Sequence, residues 1–151
     1  MTFRSTAPLL AGLAAALLSV ATLSPAFASG SNIKVSGSGN LTAKGDGTVA
    51  LSGNGWINIT GSGTLKVKDD NGDAQVSVTG TGSKSDAGDG WTQYSGFNGT
   101  AKISGSSIEV SISGTGIDAN MAGSGTATLD GTGTLDTSRT DGSHFRERKS
   151  Q

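Results

Sequence analysis

Residues 49–61 read Val-Ala-Leu-Ser-Gly-Asn-Gly-Trp-Ile-Asn-Ile-Thr-Gly. An apolar residue stands four and two positions before each of Gly53 and Gly61, and a small or polar residue separates the two apolar positions. Strict alternation of this kind is typical of a β-strand with one face on a core and the other in water. The stretch therefore predicts two short strands, each ending at a glycine.

The same unit of eight or nine residues recurs through residues 29–136. The glycines that end the units are Gly37, Gly45, Gly53, Gly61, Gly80, Gly88, Gly96, Gly105, Gly114, Gly123 and Gly131. A fixed period indicates a repeat architecture before any motif is considered. Glycine suits these positions because tight turns between strands require positive φ. We therefore predict an all-β domain made of a Gly-x-Gly-punctuated repeat of short strands.

Two arrangements of such strands fit the pattern. Consecutive strands either pair antiparallel, as a meander that forms a sandwich or small barrel, or stack as a parallel β-solenoid. Asn71-Gly72 lies between the alternating segments 65–69 and 74–78. Because Asn-Gly between alternating segments is a strong hairpin signal, we favour the antiparallel meander over the parallel solenoid.

The N-terminus predicts export. Arg4 precedes an apolar run over residues 9–23, and Ala26-Phe27-Ala28 fits a small-residue cleavage motif. Because about 20 apolar residues are needed to span a bilayer, this shorter run is typical of a signal peptide, here residues 1–28, cut after Ala28. The predicted location is secreted, periplasmic or at the cell surface.

Charge and composition narrow the function. The chain carries 11 Lys and Arg against 12 Asp and Glu, a net charge of −1, which argues against a nucleic-acid partner. Residues 137–151 are rich in charge and poor in apolar residues, so a disordered polar tail is predicted there. That tail holds His144, the chain's histidine, and the chain has no cysteine. Residues 29–136 contain one glutamate, Glu109, and no histidine or cysteine. No combination of nucleophile, base and acid is therefore evident, and no enzyme activity is predicted.

Residues 83–99 break the alternation. Lys84 and Asp86 occupy two of the expected apolar positions, and the segment also contains three aromatic residues. It is predicted to be a long irregular loop whose aromatic rings either form a binding site or pack, plugging the open end of a barrel or covering a sheet edge, and packing is the favoured interpretation. The candidate binding residues in this loop are Asp86, Asp89, Trp91, Tyr94 and Phe97.

Trp56 is a further candidate binding residue. It falls on the same side of its strand as Asn58 and Thr60, so it is predicted to face outward. An exposed tryptophan indicates contact with a glycan or partner, whereas an indole lying flat over a neighbouring strand is the alternative.

A calcium site is a weaker interpretation of residues 69–73. Asp69, Asn71 and Asp73 alternate like the first ligands of a calcium loop, but Ala74 and Gly80 replace the glycine and glutamate that such a loop requires. We therefore favour a turn, and predict neither a metal nor another cofactor.

The Gly-x-Gly units of residues 32–135 resemble those of bacterial surface adhesin-like domains, a resemblance that implies an extracellular or envelope location. The predicted function is an exported, non-enzymatic structural or interaction module of the cell envelope or extracellular space, with a glycan or an envelope protein as partner. A carbohydrate-binding domain using the aromatic loop is the alternative. A surface-adsorbing, ice-binding-like protein is a second alternative, suggested by Thr42, Thr60, Thr126 and Thr128.

Overall fold

The computed structural model describes residues 26–138 and 146–149. Four strands form one sheet in the order β2-β3-β1-β4, and every pairing is antiparallel. The strands are β1 (Ala26–Asp69), β2 (Gln75–Gly88), β3 (Trp91–Ser138) and β4 (Arg146–Lys149). The predictions of an all-β fold and of antiparallel pairing are confirmed.

The expected short strands are not found. β1 and β3 run through their glycines as continuous strands of 44 and 48 residues. Because β2 and β4 lie at the two edges of the sheet, the sheet is not closed into a barrel. The parallel solenoid is also wrong, since the strands of the described residues pair antiparallel.

β1 and β3 form a two-stranded ribbon that is wound on itself. Val49 pairs with Leu129 on one side and with Ile112 on the other, and Ile112 also pairs with Leu65. Both neighbours of one strand belong to the same partner strand, which is possible only if the ribbon coils so that each turn pairs with the next. Val49 and Leu65 are 16 residues apart in sequence, so 16 residues of β1 complete one turn here.

Successive units of β1 lie in two different stacks of paired strands. The first stack contains residues 33–36, 49–52 and 65–68 of β1 with 91–94, 109–112 and 126–129 of β3. The second stack contains residues 41–44 and 57–60 of β1 with 100–103 and 118–121 of β3. The inward side chains of both stacks belong to one apolar cluster.

Most of the predicted inward positions lie in that core, with Val76 as an exposed exception and Phe97 as an addition. The core contains Ile33, Val35, Leu41, Ala43, Val49, Leu51, Ile57, Ile59, Leu65, Val67, Phe97, Ala101, Ile103, Ile108, Val110, Ile112, Ile117, Ala119, Met121, Ala127, Leu129 and Leu135. Among the side chains that the structure describes, no polar or charged residue is buried with them. Burial of large aliphatic side chains, each worth ~1.5–3 kcal/mol, is therefore the main force that holds the coil together.

Glycines face one another where the ribbon bends between the stacks. Gly53 pairs with Gly125 and has a φ of 149°. A Cβ added to Gly53 would overlap the Ser124 carbonyl oxygen and would lie 2.7 Å from the Gly125 Cα. The glycine spacing therefore serves close approach between backbones, in addition to the positive φ expected from the sequence.

The tip of the ribbon is the turn between β2 and β3. Gly88 pairs with Trp91, and the two residues between them, Asp89 and Gly90, have φ of 53° and 80°. Positive φ at both central residues is the requirement of a type I′ hairpin turn, which Asp-Gly sequences satisfy well.

The hairpin expected at Asn71-Gly72 is wrong, because β2 pairs with β3 and not with β1. The segment between β1 and β2 is a corner through which β2 continues the path of β1. One carboxylate organises it: Asp69 accepts hydrogen bonds from the backbone N–H groups of Asn71 (3.2 Å), Gly72 (2.9 Å) and Ala74 (2.7 Å). Short polar side chains commonly replace a backbone ladder in this way.

The two chain ends are described only in part. Most of the predicted signal peptide, residues 1–25, lies outside the described residues, so cleavage after Ala28 stays a prediction. Within the predicted disordered tail, Arg146–Lys149 forms β4 against Ile33–Ser36 of β1, and residues 139–145 lie outside the described part. The described residues contain no helix long and apolar enough to cross a membrane.

Candidate functional site

Two large apolar side chains are exposed among the residues whose burial is described. They are Trp56, 43% exposed, and Val76, 41% exposed. Both line the same groove on the second stack, with a volume of about 330 Å³. The other residues that line this Trp56 groove are Gln75, Ser77, Lys102, Ile103 and Ser104.

The strand register places Trp56 in the groove. Trp56 of β1 pairs with Ser104 of β3, and Ser104 pairs with Gln75 of β2, so the three residues form one row across three strands. Ile57 is buried, so Trp56 faces outward, as its position in the alternation predicts. The small Ser104 beside it leaves the indole exposed.

Val76 has a different reason for being exposed. It pairs with Ile103, which is buried, and so occupies an inward position of the coil. β2 is the edge strand, however, and in the described residues no further turn of the ribbon covers it. An inward valine therefore stays in contact with water, on the face of the sheet opposite to the Trp56 indole.

Lys102 is the charged residue of the groove. Its side chain is exposed, and it takes part in neither of the ion pairs found in the described residues, Lys44–Asp118 (2.9 Å) and Lys68–Asp70 (2.8 Å). In each pair the hydrogen bond to the aspartate raises the lysine pKa above its ordinary value. No carboxylate lines the groove, so Lys102 gives it a positive charge.

Asn58 of β1 pairs with Lys102 of β3, and its side-chain carbonyl oxygen is in an unusual environment. Its Oδ1 is buried and has no hydrogen-bond partner. A buried carbonyl without a donor destabilises the fold, by about 1–3 kcal/mol in comparable cases. Its neighbour in the same row, Asn120, is satisfied, because it accepts from the Thr42 hydroxyl at 2.9 Å and donates to Asp118 at 2.9 Å.

The predicted aromatic loop is not an irregular loop. Residues 83–99 form the end of β2, the two-residue turn and the start of β3. Phe97 is 1% exposed and belongs to the core, so its assignment as a binding residue is wrong. The packing interpretation describes it correctly.

Trp91 and Tyr94 do not form one platform. Trp91 is half-buried and pairs with Lys68, an outward position, whereas Tyr94 pairs with Leu65, an inward position, and packs against the core. Side chains of opposite parity project from opposite faces of a sheet. The structure therefore separates these two rings from each other, and Trp56 lies on the other stack.

Lys84 and Asp86 break the sequence pattern because they lie on the edge strand. They pair with Tyr94 and Thr92, and both side chains are exposed. Inward charges on an edge strand discourage pairing with other chains. The carboxylate of Asp86 accepts the Gly88 N–H at 2.8 Å, so it also supports the hairpin tip.

In the corner between β1 and β2, the possible calcium ligands Asp69 and Asp73 accept hydrogen bonds from the protein itself. Asp73 accepts hydrogen bonds from the Ser106 N–H (3.0 Å) and hydroxyl (2.6 Å), which lower its pKa below the ordinary value. Asp69 is engaged by the corner backbone as described above. Among the described residues, no group of three or more His, Cys, Asp or Glu side chains is suited to hold a metal ion.

The threonines that suggested a surface-adsorbing protein lie on different stacks. Thr42 and Thr60 belong to the second stack, and Thr126 and Thr128 to the first. They do not share one surface.

Sequence reasoning missed Val76, Gln75, Lys102 and Ser104. Val76 fits the regular alternation, so its own position gives no sign of exposure. The useful signal was Asp89-Gly90: a hairpin tip at that dipeptide makes the preceding strand the end of the fold.

Comparison with known proteins does not assign the chain to a family. No protein-family model, no curated protein and no solved structure matches the chain.

Proposed function

We propose that this chain is an exported, non-enzymatic interaction module of the cell envelope or the extracellular space, and that the Trp56 groove is its binding surface. The observation that supports the proposal is the groove itself. It presents the exposed indole of Trp56 on the same outward face as the side chains of Gln75, Ser77, Lys102 and Ser104. An exposed tryptophan ringed by hydrogen-bonding side chains is typical of a surface that another molecule covers.

The scaffold suits this role. The strand that carries Trp56 is hydrogen-bonded to β3 on both sides, and the inward neighbour Ile57 is buried. A groove held by paired strands needs little ordering when it binds, which improves affinity. We also propose that each eight- or nine-residue unit is one half turn of the coil, so that the sequence repeat is a structural repeat.

Carbohydrate binding is the second candidate function, and the groove composition favours it. An exposed indole offers a flat apolar surface, and Gln75, Ser77, Lys102 and Ser104 surround it with hydrogen-bonding groups. The candidate site moves from the predicted loop to Trp56. The loop residues Asp86, Asp89, Trp91 and Tyr94 stay a prediction.

The test is capture by the mature chain, residues 29–151, with a matched pair of tryptophan variants. Wild type, Trp56→Ser and Trp91→Phe are immobilised and exposed to solubilised envelope proteins and to extracellular polysaccharide. We expect bound material to be lost with Trp56→Ser and retained with Trp91→Phe. Equal capture by Trp56→Ser and wild type rejects the groove as the binding surface, and recovery of the native protein from the cytoplasm alone rejects export.

A further inference from the structure

The Trp56 groove carries information about its ligand. The residues that line the groove include one aromatic side chain, Trp56, and one cation, Lys102. We propose that it binds an acidic saccharide, with the indole of Trp56 against the apolar face of a sugar ring and the ammonium group of Lys102 paired with the sugar carboxylate. This inference rests on the proposed function, because it assumes that the groove is the binding surface.

The size and position of the groove favour a short saccharide over an added peptide strand. Its volume of about 330 Å³ is at the lower end of the range for small-molecule sites. A peptide that extended the sheet would pair with the free edge of β2, about 4.8 Å beyond that strand. Trp56 is on the other side of β3 from that edge, so an added strand would leave the indole uncovered.

The charge of the groove favours an acidic ligand. Lys102 is exposed, is in neither of the ion pairs of the described residues, and has no carboxylate beside it in the groove. Such an ammonium binds a carboxylate through a charge-assisted hydrogen bond. The whole chain has a net charge of −1, so it does not attract anions in general, and discrimination depends on this local cation.

The hydrogen-bonding groups of the groove complete the match. The amide of Gln75 both donates and accepts, and the hydroxyls of Ser77 and Ser104 do the same. Sugar hydroxyls need both kinds of partner. Phosphate-rich polymers such as nucleic acids are a poorer match, because they are held by several cations together.

The experiment is a titration of two ligands with the same sugar backbone, one with ionised carboxylates and one with each carboxylate converted to an uncharged methyl ester. Trigalacturonate and its fully methyl-esterified form are titrated into the full mature chain carrying Trp91→Phe, so that Trp56 is the fluorescent reporter. We expect saturable binding of trigalacturonate in the millimolar range or tighter, and roughly tenfold or more weaker binding of the ester, as the loss of one charged hydrogen bond implies.

Variants assign the effect to Lys102 and Trp56. Lys102→Gln is expected to abolish the difference between acid and ester, whereas Lys34→Gln, an exposed lysine of the first stack, is expected to preserve it. Binding by Trp56→Ser is followed by calorimetry and is expected to be lost for both ligands. Unchanged thermal unfolding midpoints establish that each variant is folded.

The other outcomes overturn the inference in distinguishable ways. Equal binding of acid and ester, or an acid preference that survives Lys102→Gln, refutes the role of the cation. Failure of both trigalacturonate and a mannuronate trimer to bind, with Trp56-dependent capture of an envelope protein, refutes the saccharide and leaves the proposed function standing. Binding of a hexaglutamate peptide with the same Lys102 dependence, but of neither saccharide, assigns the groove to an acidic peptide instead.

Discussion

The contact between Gly53 and Gly125 gives the sharpest test of the coiled ribbon. In Gly53→Ala, the new methyl group would overlap the Ser124 carbonyl oxygen and would lie 2.7 Å from the Gly125 Cα. Both obstacles are backbone atoms of a paired strand, so no side chain can rotate away. The φ of 149° at Gly53 adds backbone strain. Overpacking costs about 1–3 kcal/mol and strain of this kind about 1–3 kcal/mol, so we expect a loss of about 4 kcal/mol in the free energy of unfolding.

Gly72→Ala is the matched control. Gly72 also has positive φ, 72°, but a Cβ added there meets no atom within 4 Å. Its cost is limited to the left-handed backbone and is expected to be about 1–2 kcal/mol. If the glycines served turns alone, the two alanine variants would lose similar stability. The coil predicts that Gly53→Ala loses clearly more.

The assay is urea denaturation of the mature chain followed by circular dichroism, with thermal melts in parallel. A loss of about 4 kcal/mol corresponds to a melting point lower by roughly 15–25 °C for a domain of this size. If Gly53→Ala is no less stable than Gly72→Ala, the backbones are not in contact at this bend, and the pairing of successive turns is incorrect.

Two further predictions concern polar groups. Asn58→Thr removes the buried Oδ1 that has no donor and introduces a residue favoured in strands, so we expect the free energy of unfolding to rise by about 1 kcal/mol; an unchanged or lower urea midpoint would show that this oxygen is hydrated in solution. For Asp73, hydrogen bonds from Ser106 lower the folded pKa, so the carboxylate stabilises the fold above its unfolded pKa of about 3.9, and this contribution is lost as the pH falls through the folded pKa. Asp73→Asn should be less stable than wild type at pH 7, and the gap should narrow below about pH 4; a gap that is constant with pH would contradict this linkage.

The inward register could be predicted from the sequence because it is a local property. Residues two positions apart in a strand lie on the same face, so the sequence alone places Val49 with Leu51 and Ile57 with Ile59. All four are buried. The partner strands could not be predicted in the same way. The sequence of a glycine-ended unit is equally compatible with a short strand followed by a turn and with part of a long strand that bends. Only the contacts between residues distant in sequence distinguish these two structures.

The choice of hairpin shows how a local signal misleads. Asn71-Gly72 and Asp89-Gly90 both suit a type I′ turn, but only Asp89-Gly90 joins two strands that pair with each other. At Asn71-Gly72, the Asp69 carboxylate binds the backbone N–H groups that a ladder would otherwise use.

Only part of the candidate site could be predicted, because local alternation is visible in the sequence and strand position in the sheet is not. The exposure of Trp56 follows from the alternation along its own strand, so it was expected. The exposure of Val76 follows from the position of β2 at the edge of the sheet, which depends on where the ribbon ends. Neighbours that are distant in sequence, such as Trp56 and Lys102, meet only after the coil has formed.

The wound ribbon also decides the order in which the newly made chain can acquire structure. Within the described residues, β1 pairs only with β3 and β4. Ile33 therefore cannot pair with Leu129, which lies nearly a hundred positions downstream, until that part of the chain has been made. Ribosomes deliver the N-terminal arm first, so that arm has no partner until synthesis has passed Asp89-Gly90. We expect winding to start at the tip and to proceed toward both termini, and to be slow because it closes pairs that are distant in sequence.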